Sequence, residues 1–145
     1  FLWGSKRTGP DLLRVGGKYN DNWHFNHFWS PQSISAGSIM PAYKWLFDNE
    51  AMDVSKTQKK METMVTLGVP YSAAQVANAQ KDLRAQAISI EESLKNDPDF
   101  VKSYEESKKK AAAKGEKFVP MNEREIIALI AYMQRLGTDI KVKNN

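Results

Sequence analysis

The final helical segment, residues 120–140, constrains the fold of this 145-residue chain more than any other stretch. Its apolar residues recur at helical spacing and form a wide face, which predicts a helix that is buried on more than one side. Asn122 and Glu125 form an N-terminal capping pattern, and Gly137 is the expected C-terminal stop. The rest of the chain must supply the partners of this helix. Its apolar face consists of Ile126, Ile127, Leu129, Ile130, Met133 and Leu136.

Capping residues and helix stops divide the middle of the chain into three further helices, so the sequence predicts an all-α fold. Residues 55–67 form the first of them, with Gly68 as its stop. The second, residues 73–95, opens with a capping box, and the third follows a proline and ends near residue 114. These last two are expected to form an antiparallel hairpin that projects from the domain or lies on its surface. The expected buried stripe of the first helix is Met61, Met64, Val65 and Leu67.

An aromatic segment at residues 21–29 carries both histidines of the chain. His24 and His27 are three residues apart, so a helix can place them on one face. A two-histidine metal site is one interpretation, although no third ligand with a recognisable zinc spacing is apparent. Hydrogen-bonded histidines in a partly buried aromatic layer are the other interpretation, and the surrounding residues favour it.

Met40 lies in a loop, directly before Pro41. Pro41 fixes its own φ and pushes Met40 towards an extended conformation, so a flexible thioether is held on a stiff backbone. This placement suits a soft ligand for haem iron or copper. A methionine that fills the core beneath a loop is the alternative, and it is favoured when this motif is taken alone.

The charge and the motif inventory exclude several classes of function. The net charge of +4 comes from five Lys/Arg against three Asp/Glu in residues 1–48, twelve against eleven in residues 49–117, and four against three in residues 118–145. No basic stripe results, so a nucleic-acid partner is not expected. No apolar run approaches the roughly 18 residues of a membrane span. The sequence also lacks the hydrolase elbow, the P-loop and the dinucleotide-binding fingerprint.

Three sites occur in the order typical of class I cytochromes c: Gly9-Pro10-Asp11-Leu12, the Met40-Pro41 loop and the terminal helix. Leu12 follows a rigid turn and is expected to be buried. Longer runs resemble, more specifically, the mono-haem subunit (subunit II) of cbb3-type cytochrome c oxidases. The likeness covers about residues 1–95 and 118–140, and the segment around residues 96–117 looks like an addition. The runs that carry it are residues 1–12, 15–19, 21–24, 40–46, 60–62, 66–71 and 136–138.

The resemblance implies a truncated class I cytochrome c-like domain with a long helical hairpin insertion. Residues 1–70 would form the haem-crevice loops and short helices, residues 72–117 the hairpin, and residues 118–145 the C-terminal helix. Met40 matches the axial haem ligand. The other crevice residues are Pro10, Leu12 and Tyr43, and the Pro10 carbonyl would orient the proximal histidine.

The resemblance also implies a role in respiration. Such a subunit lies at the periplasmic face of the bacterial inner membrane, held by an upstream membrane helix. It passes electrons from another c-type cytochrome subunit, through a Met-ligated haem c, towards the catalytic subunit, where oxygen is reduced and protons are pumped. By itself it is non-catalytic. Two rival interpretations stay open: a helical protein-interaction module without a redox role, and a two-histidine metal-binding domain.

One part of the family pattern is missing from this chain. The motif Cys-x-x-Cys-His attaches the haem covalently and supplies its proximal histidine, but the chain has no cysteine. Neither His24 nor His27 matches the proximal position. We therefore expect a soluble, haem-free fragment, with the attachment motif and the membrane helix upstream of Phe1.

We expect this chain to self-associate, to exchange elements between copies, or to leave residues 1–45 partly disordered. Without the haem and the first helix, the apolar faces of Trp3, Leu12, Tyr43 and residues 126–133 lack a partner, and large exposed apolar patches drive association. Light scattering measures the outcome directly. A compact monomer, with Leu12 and the Met40 loop ordered as in a cytochrome, would contradict this expectation.

Overall fold

The computed structural model describes residue 9 and residues 11–138, and this part of the chain is helical without any strand. The predicted all-α fold is confirmed. None of the helices in these ranges combines the length and the apolar character that crossing a membrane requires. The α-helices are α1 (Asp21–Trp29), α2 (Pro31–Ile34), α3 (Thr57–Thr66), α4 (Ala73–Leu94), α5 (Pro98–Lys114) and α6 (Glu125–Arg135). Short 3-10 turns lie at Leu12–Arg14, Lys44–Phe47 and Met121–Glu123.

Most of the predicted helix ends are confirmed. At the start of α4, the Gln75 N–H donates to Ser72 Oγ (3.2 Å) and the Ser72 N–H donates to Gln75 Oε1 (2.8 Å), which completes a capping box. Asp97 caps α5, and Pro98 takes its first position. Three glycines with positive φ follow the ends of α3, α5 and α6, where an L side chain would be strained. They are Gly68, Gly115 and Gly137.

The wide apolar face of α6 is confirmed, since Ile126, Ile127 and Ile130 are completely buried. The core that covers them comes from α1, α4, α5 and the second and third 3-10 turns, so the expectation that residues 126–133 lack a partner was wrong. Full burial of one such side chain contributes about 1.5–3 kcal/mol. Helix α6 is therefore the element around which the other helices are arranged.

The start of α6 differs from the prediction. Met121–Glu123 forms a separate 3-10 turn, and α6 begins at Glu125 with Arg124 as its N-cap residue and no side-chain cap. Asn122 is therefore not the cap. Its backbone N–H instead donates to the buried Glu91 Oε2 (3.2 Å), and this bond fixes the turn against α4.

The hairpin of α4 and α5 was expected to project from the domain or to lie on its surface, and for α4 this was wrong. Ala87, Ile90 and Leu94 on α4 are buried in the core, and the helix packs against α3 and α6 rather than along α5. Helix α5 reaches the core at its first turn, where Phe100 contacts Phe25 edge to face at 5.1 Å.

The predicted buried stripe of α3 was also wrong. No residue of α3 is buried, and Leu67 directly after it is 74% exposed. Met64 and Val65 are exposed as well, while Met61 is half-buried. The spacing gives α3 an apolar face, but α4 is its main packing partner and covers only part of that face.

Two glycines join the Leu12–Arg14 turn to the end of α6 through main-chain atoms. The Gly16 N–H donates to the Leu136 carbonyl oxygen at 2.9 Å. A Cβ at Gly16 would overlap that same oxygen, and a Cβ at Gly137 would overlap the carbonyl oxygen of Leu13. The two segments approach this closely only because neither glycine has a side chain.

The Gln134 side chain reinforces this contact between the loop and α6. Its Oε1 accepts from the Gly17 N–H (3.1 Å), and its Nε2 donates to the Tyr19 carbonyl (2.9 Å) and to Asp21 Oδ1 (2.8 Å). Residues 12–21 and the end of α6 are therefore held together as one unit.

The Arg124 side chain also connects separate segments of the chain, and only 4% of this residue is exposed. Its guanidinium donates to the Phe47 carbonyl (2.8 Å), to the Val119 carbonyl (2.9 and 3.1 Å) and to Asn49 Oδ1 (3.3 Å). It also lies over the Phe118 ring, 5.3 Å from the centroid. Burial lowers the pKa of this guanidinium. Its N–H groups bond to oxygen acceptors in the loops at residues 47–49 and 119.

We predict that Gly16→Ala destabilises the fold by about 2–4 kcal/mol, because the new methyl group forces the loop away from α6. Gly9→Ala is the matched control, since nothing lies within 4 Å of a Cβ at that position. Urea denaturation followed by circular dichroism gives the free energy of unfolding of each variant. Equal effects of the two substitutions would show that the contact is not tight in solution.

We predict that Arg124→Met lowers the free energy of unfolding by about 3 kcal/mol, because the Phe47 carbonyl, the Val119 carbonyl and Asn49 Oδ1 each then lose a donor. Arg84→Met, on the exposed side of α4, is the matched control and should stay close to the wild-type value. Chemical denaturation of both variants checks this. A stable Arg124→Met protein would mean that the loops at residues 47–49 and 119 do not depend on this side chain.

Candidate functional site

The Met40 loop is restrained on the side that precedes the methionine. Met40 is half-buried and packs against the hydrophobic core. Its backbone N–H donates to Ser38 Oγ (3.2 Å), and Gln32 Nε2 donates to the Ser38 carbonyl (3.4 Å). The geometry therefore agrees with the interpretation that Met40 is held on a restrained backbone. The packing also agrees with the alternative, in which Met40 fills the core.

Tyr43 anchors the other side of the loop to α1. Its backbone N–H donates to the Phe28 carbonyl at 2.9 Å, and its ring meets the Phe28 ring edge to face at 6.0 Å. A tilted contact at 5.0 Å joins it to Trp45 in the following 3-10 turn. Met40 and Tyr43 thus both pack against the hydrophobic core.

Leu12 lies on a different segment, which is bonded to the C-terminal end of α6. The expectation that Leu12 is buried was wrong. Leu12 is 47% exposed and Leu13 is 56% exposed. Their 3-10 turn is held by Asp11, whose Oδ1 accepts from the Leu13 N–H at 3.3 Å, and by the glycine contact with α6. The segment thus presents leucines to the outside on a fixed backbone. Pro10, the remaining predicted crevice residue, lies outside the described residues.

The aromatic layer predicted at residues 21–29 is confirmed. Tyr19, Trp23 and His27 form a continuous stack, with ring centroids 3.9 and 4.5 Å apart and interplanar angles of 13° and 14°. His24 meets Trp23 edge to face at 5.3 Å and is 1% exposed. Both imidazoles therefore contact aromatic rings, and His24 is also buried.

The predicted hydrogen bonds of these histidines are absent at one buried nitrogen of each side chain. His24 Nε2 and His27 Nδ1 are buried and have no hydrogen-bond partner among the described residues. Burial lowers the pKa of both histidines; for His24 the nearby Asp21 carboxylate opposes this and His27 adds to it. Burial therefore favours the neutral form of both side chains, and each has a buried nitrogen without a partner among the described residues.

The two-histidine metal interpretation gains no further ligand from the fold. In the part of the chain that the structure describes, no group of three or more His, Cys, Asp or Glu side chains is placed to hold a metal ion. The Asp21 carboxylate, which is the acidic group acting on His24, accepts a hydrogen bond from Gln134 Nε2 at 2.8 Å.

The chemistry of Met40, a soft sulfur on a restrained loop, suits a ligand of haem iron. Leu12 and Leu13 offer apolar surface on a separate segment. The fit does not extend to covalent attachment, because the chain has no cysteine.

Sequence reasoning missed the residues that position this site. Gly16, Gln134 and Arg124 join segments that are about 70 to 120 residues apart, as the Arg124–Phe47 and Gln134–Tyr19 bonds illustrate. The Gly16-Gly17 pair was the only available signal, and by itself it does not identify its partner.

Comparison with known proteins agrees with the resemblance of the sequence. Among curated proteins, none matches the chain. A family model described as "Cytochrome C oxidase, mono-heme subunit/FixO" matches residues 1–140. The match includes the Leu12 segment, the Met40 loop and α6, so it does not depend on any single motif. The chain therefore belongs to the FixO family, the mono-haem subunits of cytochrome c oxidase.

Proposed function

We propose that this subunit provides the methionine side of a c-type haem site and passes electrons, one at a time, towards the oxygen-reducing subunit of the oxidase. The family supports a role within a cytochrome c oxidase. The observation that carries the residue assignment is the restraint of Met40 between Ser38 and the Tyr43 anchor. An axial ligand has to be held in this way, because its sulfur must keep one position in both redox states.

A bound haem c supplies reversible one-electron chemistry at its iron. Met40 would be its axial ligand, and a thioether ligand favours the reduced iron and raises the potential. Tyr43 would fix the loop from the side of α1. Leu12, with Pro10 before it, would cover the opposite side of the crevice and exclude water from it.

The proposed partners are another c-type cytochrome subunit as electron donor and the catalytic subunit as acceptor. The proposed location is the periplasmic face of the bacterial inner membrane, where an upstream membrane helix anchors the protein. Large exposed side chains next to the ligand loop support an interaction there. Ile39 directly precedes Met40 and is 88% exposed, and Trp45 is also exposed.

The test expresses the full-length gene product in a host that matures c-type cytochromes. Met40→Ala should abolish the sulfur-to-iron charge-transfer band. It should also lower the midpoint potential by on the order of 0.1 V, a fraction of the ~0.8 V range that axial ligands span. Absorption spectroscopy and a redox titration measure the two effects.

Met64→Ala is the matched control, because Met64 is an exposed methionine on α3. It should leave both the band and the potential unchanged. Two results would contradict the proposal: a product that takes up no haem, or a Met40→Ala protein with the wild-type spectrum. In either case the interpretation of Met40 as a core residue would stand.

A further inference from the structure

A cavity of about 290 Å³ lies between α4, the loop at residues 51–54 and the Met121–Glu123 turn. A smaller cavity, of about 130 Å³, lies between α4 and α6. Met52, Leu83 and Ala87 line both cavities, so the two are neighbours with a common wall. No residue of the Met40 loop lines either of them, so they are separate from the proposed haem site.

The larger cavity has one cation and one anion at its rim. Arg84 on α4 and Glu123 in the turn before α6 both line it, and both are exposed. Neither side chain forms a hydrogen bond or an ion pair with another described residue. Both charged groups are therefore free to bind a ligand in the cavity.

Main-chain hydrogen bonds hold the segments that form this cavity. The Met52 N–H donates to the Glu123 carbonyl at 2.8 Å, which joins the loop at residues 51–54 to the turn. The Asn122 N–H donates to the buried Glu91 Oε2 at 3.2 Å and so joins the turn to α4. The cavity is therefore formed before any ligand binds, as is usual for sites that bind small molecules.

The smaller cavity is apolar. Among the residues that line it Gln86 alone is polar, and α6 contributes Ile127, Ala128 and Ala131. Apolar cavities of similar volume can bind small hydrocarbons. The pair of cavities thus places two opposite charges beside a space that suits a short aliphatic chain.

We propose that the two cavities together bind a small zwitterion with an aliphatic side chain, of the α-amino acid class. The Arg84 guanidinium binds the carboxylate and the Glu123 carboxylate binds the ammonium group, since each prefers a partner of opposite charge. The aliphatic chain lies against Met52 and extends towards the smaller cavity. A ligand with a single charge would leave one group of the rim without a partner, so the rim favours a ligand that carries both charges.

The first test follows the shared wall of the two cavities by NMR, in full-length protein whose methionine methyl groups are labelled with carbon-13. Titration with L-leucine should shift the Met52 signal and leave the signal of Met64, an exposed residue on α3, unchanged. L-alanine should bind at least about tenfold more weakly, because it leaves the smaller cavity empty. An unshifted Met52 signal, or equal affinity of the two amino acids, would overturn the proposal.

The second test removes one charge at a time from the ligand and from the protein. 3-Methylbutylamine lacks the carboxylate of leucine, and 4-methylpentanoate lacks the ammonium group. Each should bind about fivefold more weakly than leucine, because pairs of exposed charges contribute modestly. Arg84→Met should weaken leucine by the same factor and leave 3-methylbutylamine unchanged. Glu123→Gln should likewise weaken leucine and leave 4-methylpentanoate unchanged.

Both variants should keep the fold, because the two side chains are exposed and have no partner among the described residues. Circular dichroism checks this. A variant that weakens all three ligands equally would indicate a purely structural role and would overturn the assignment of that charge. Failure of these tests leaves the Met40 assignment untouched, because no step in them depends on the haem spectrum.

A zwitterionic phospholipid head group carries the same pair of charges, so a short-chain phosphatidylethanolamine is the competing probe. The smaller cavity, of about 130 Å³, suits one short aliphatic chain better than the two acyl chains of a lipid. We therefore expect the lipid to bind more weakly than L-leucine. A Met52 shift at lower concentrations of the lipid than of leucine would show that the site binds a head group and would overturn the amino-acid assignment.

Discussion

The burial of α6 is the constraint on which the rest of the structure depends. Ile126, Ile127 and Ile130 are completely buried, so the first half of α6 needs cover on more than one side. Helix α4 provides that cover on one side, and α1 with the Lys44–Phe47 turn provides it on another. Loops are also bonded to both ends of α6, through Arg124 at its start and through Gln134 near its end. The position of α6 therefore determines where these loops lie.

The two candidate haem-binding segments are held in place relative to α6 in different ways. The Leu12 segment is bonded to α6 directly, through main-chain atoms and the Gln134 side chain. The Met40 loop is bonded to α1, through Tyr43 and Phe28, and it reaches α6 only through the shared core. The separation between the two segments is therefore set by the packing of α1 on α6. The bridge from Gln134 to Asp21, at the first residue of α1, contributes to holding that packing.

Local signals in the sequence predicted the helices well. The capping box at Ser72, the start of α5 at Asp97 and Pro98, and the stop at Gly137 are short-range effects of backbone hydrogen bonding and φ preference, so they can be read directly. The residue assignment at Met40 came from a resemblance, and the loop geometry agrees with it without testing it. Partner choice could not be predicted in the same way. The apolar spacing of α3 indicated a face but not that Leu67 would stay exposed, and the charged flanks of α4 concealed how deeply Leu94 is buried.

The contact between Gly16 and Leu136 has a consequence for how this sequence can vary. Most packed contacts in a protein can be re-optimised, because a larger side chain on one side is accommodated by a smaller one opposite. At this contact both surfaces are main chain, and there is nothing on either side left to shorten. Leu13 and Leu136 can therefore be replaced by other residues, whereas the two glycines opposite their carbonyls cannot. A pair of positions more than a hundred residues apart is thus restricted to glycine by geometry alone, whatever group the neighbouring leucines meet.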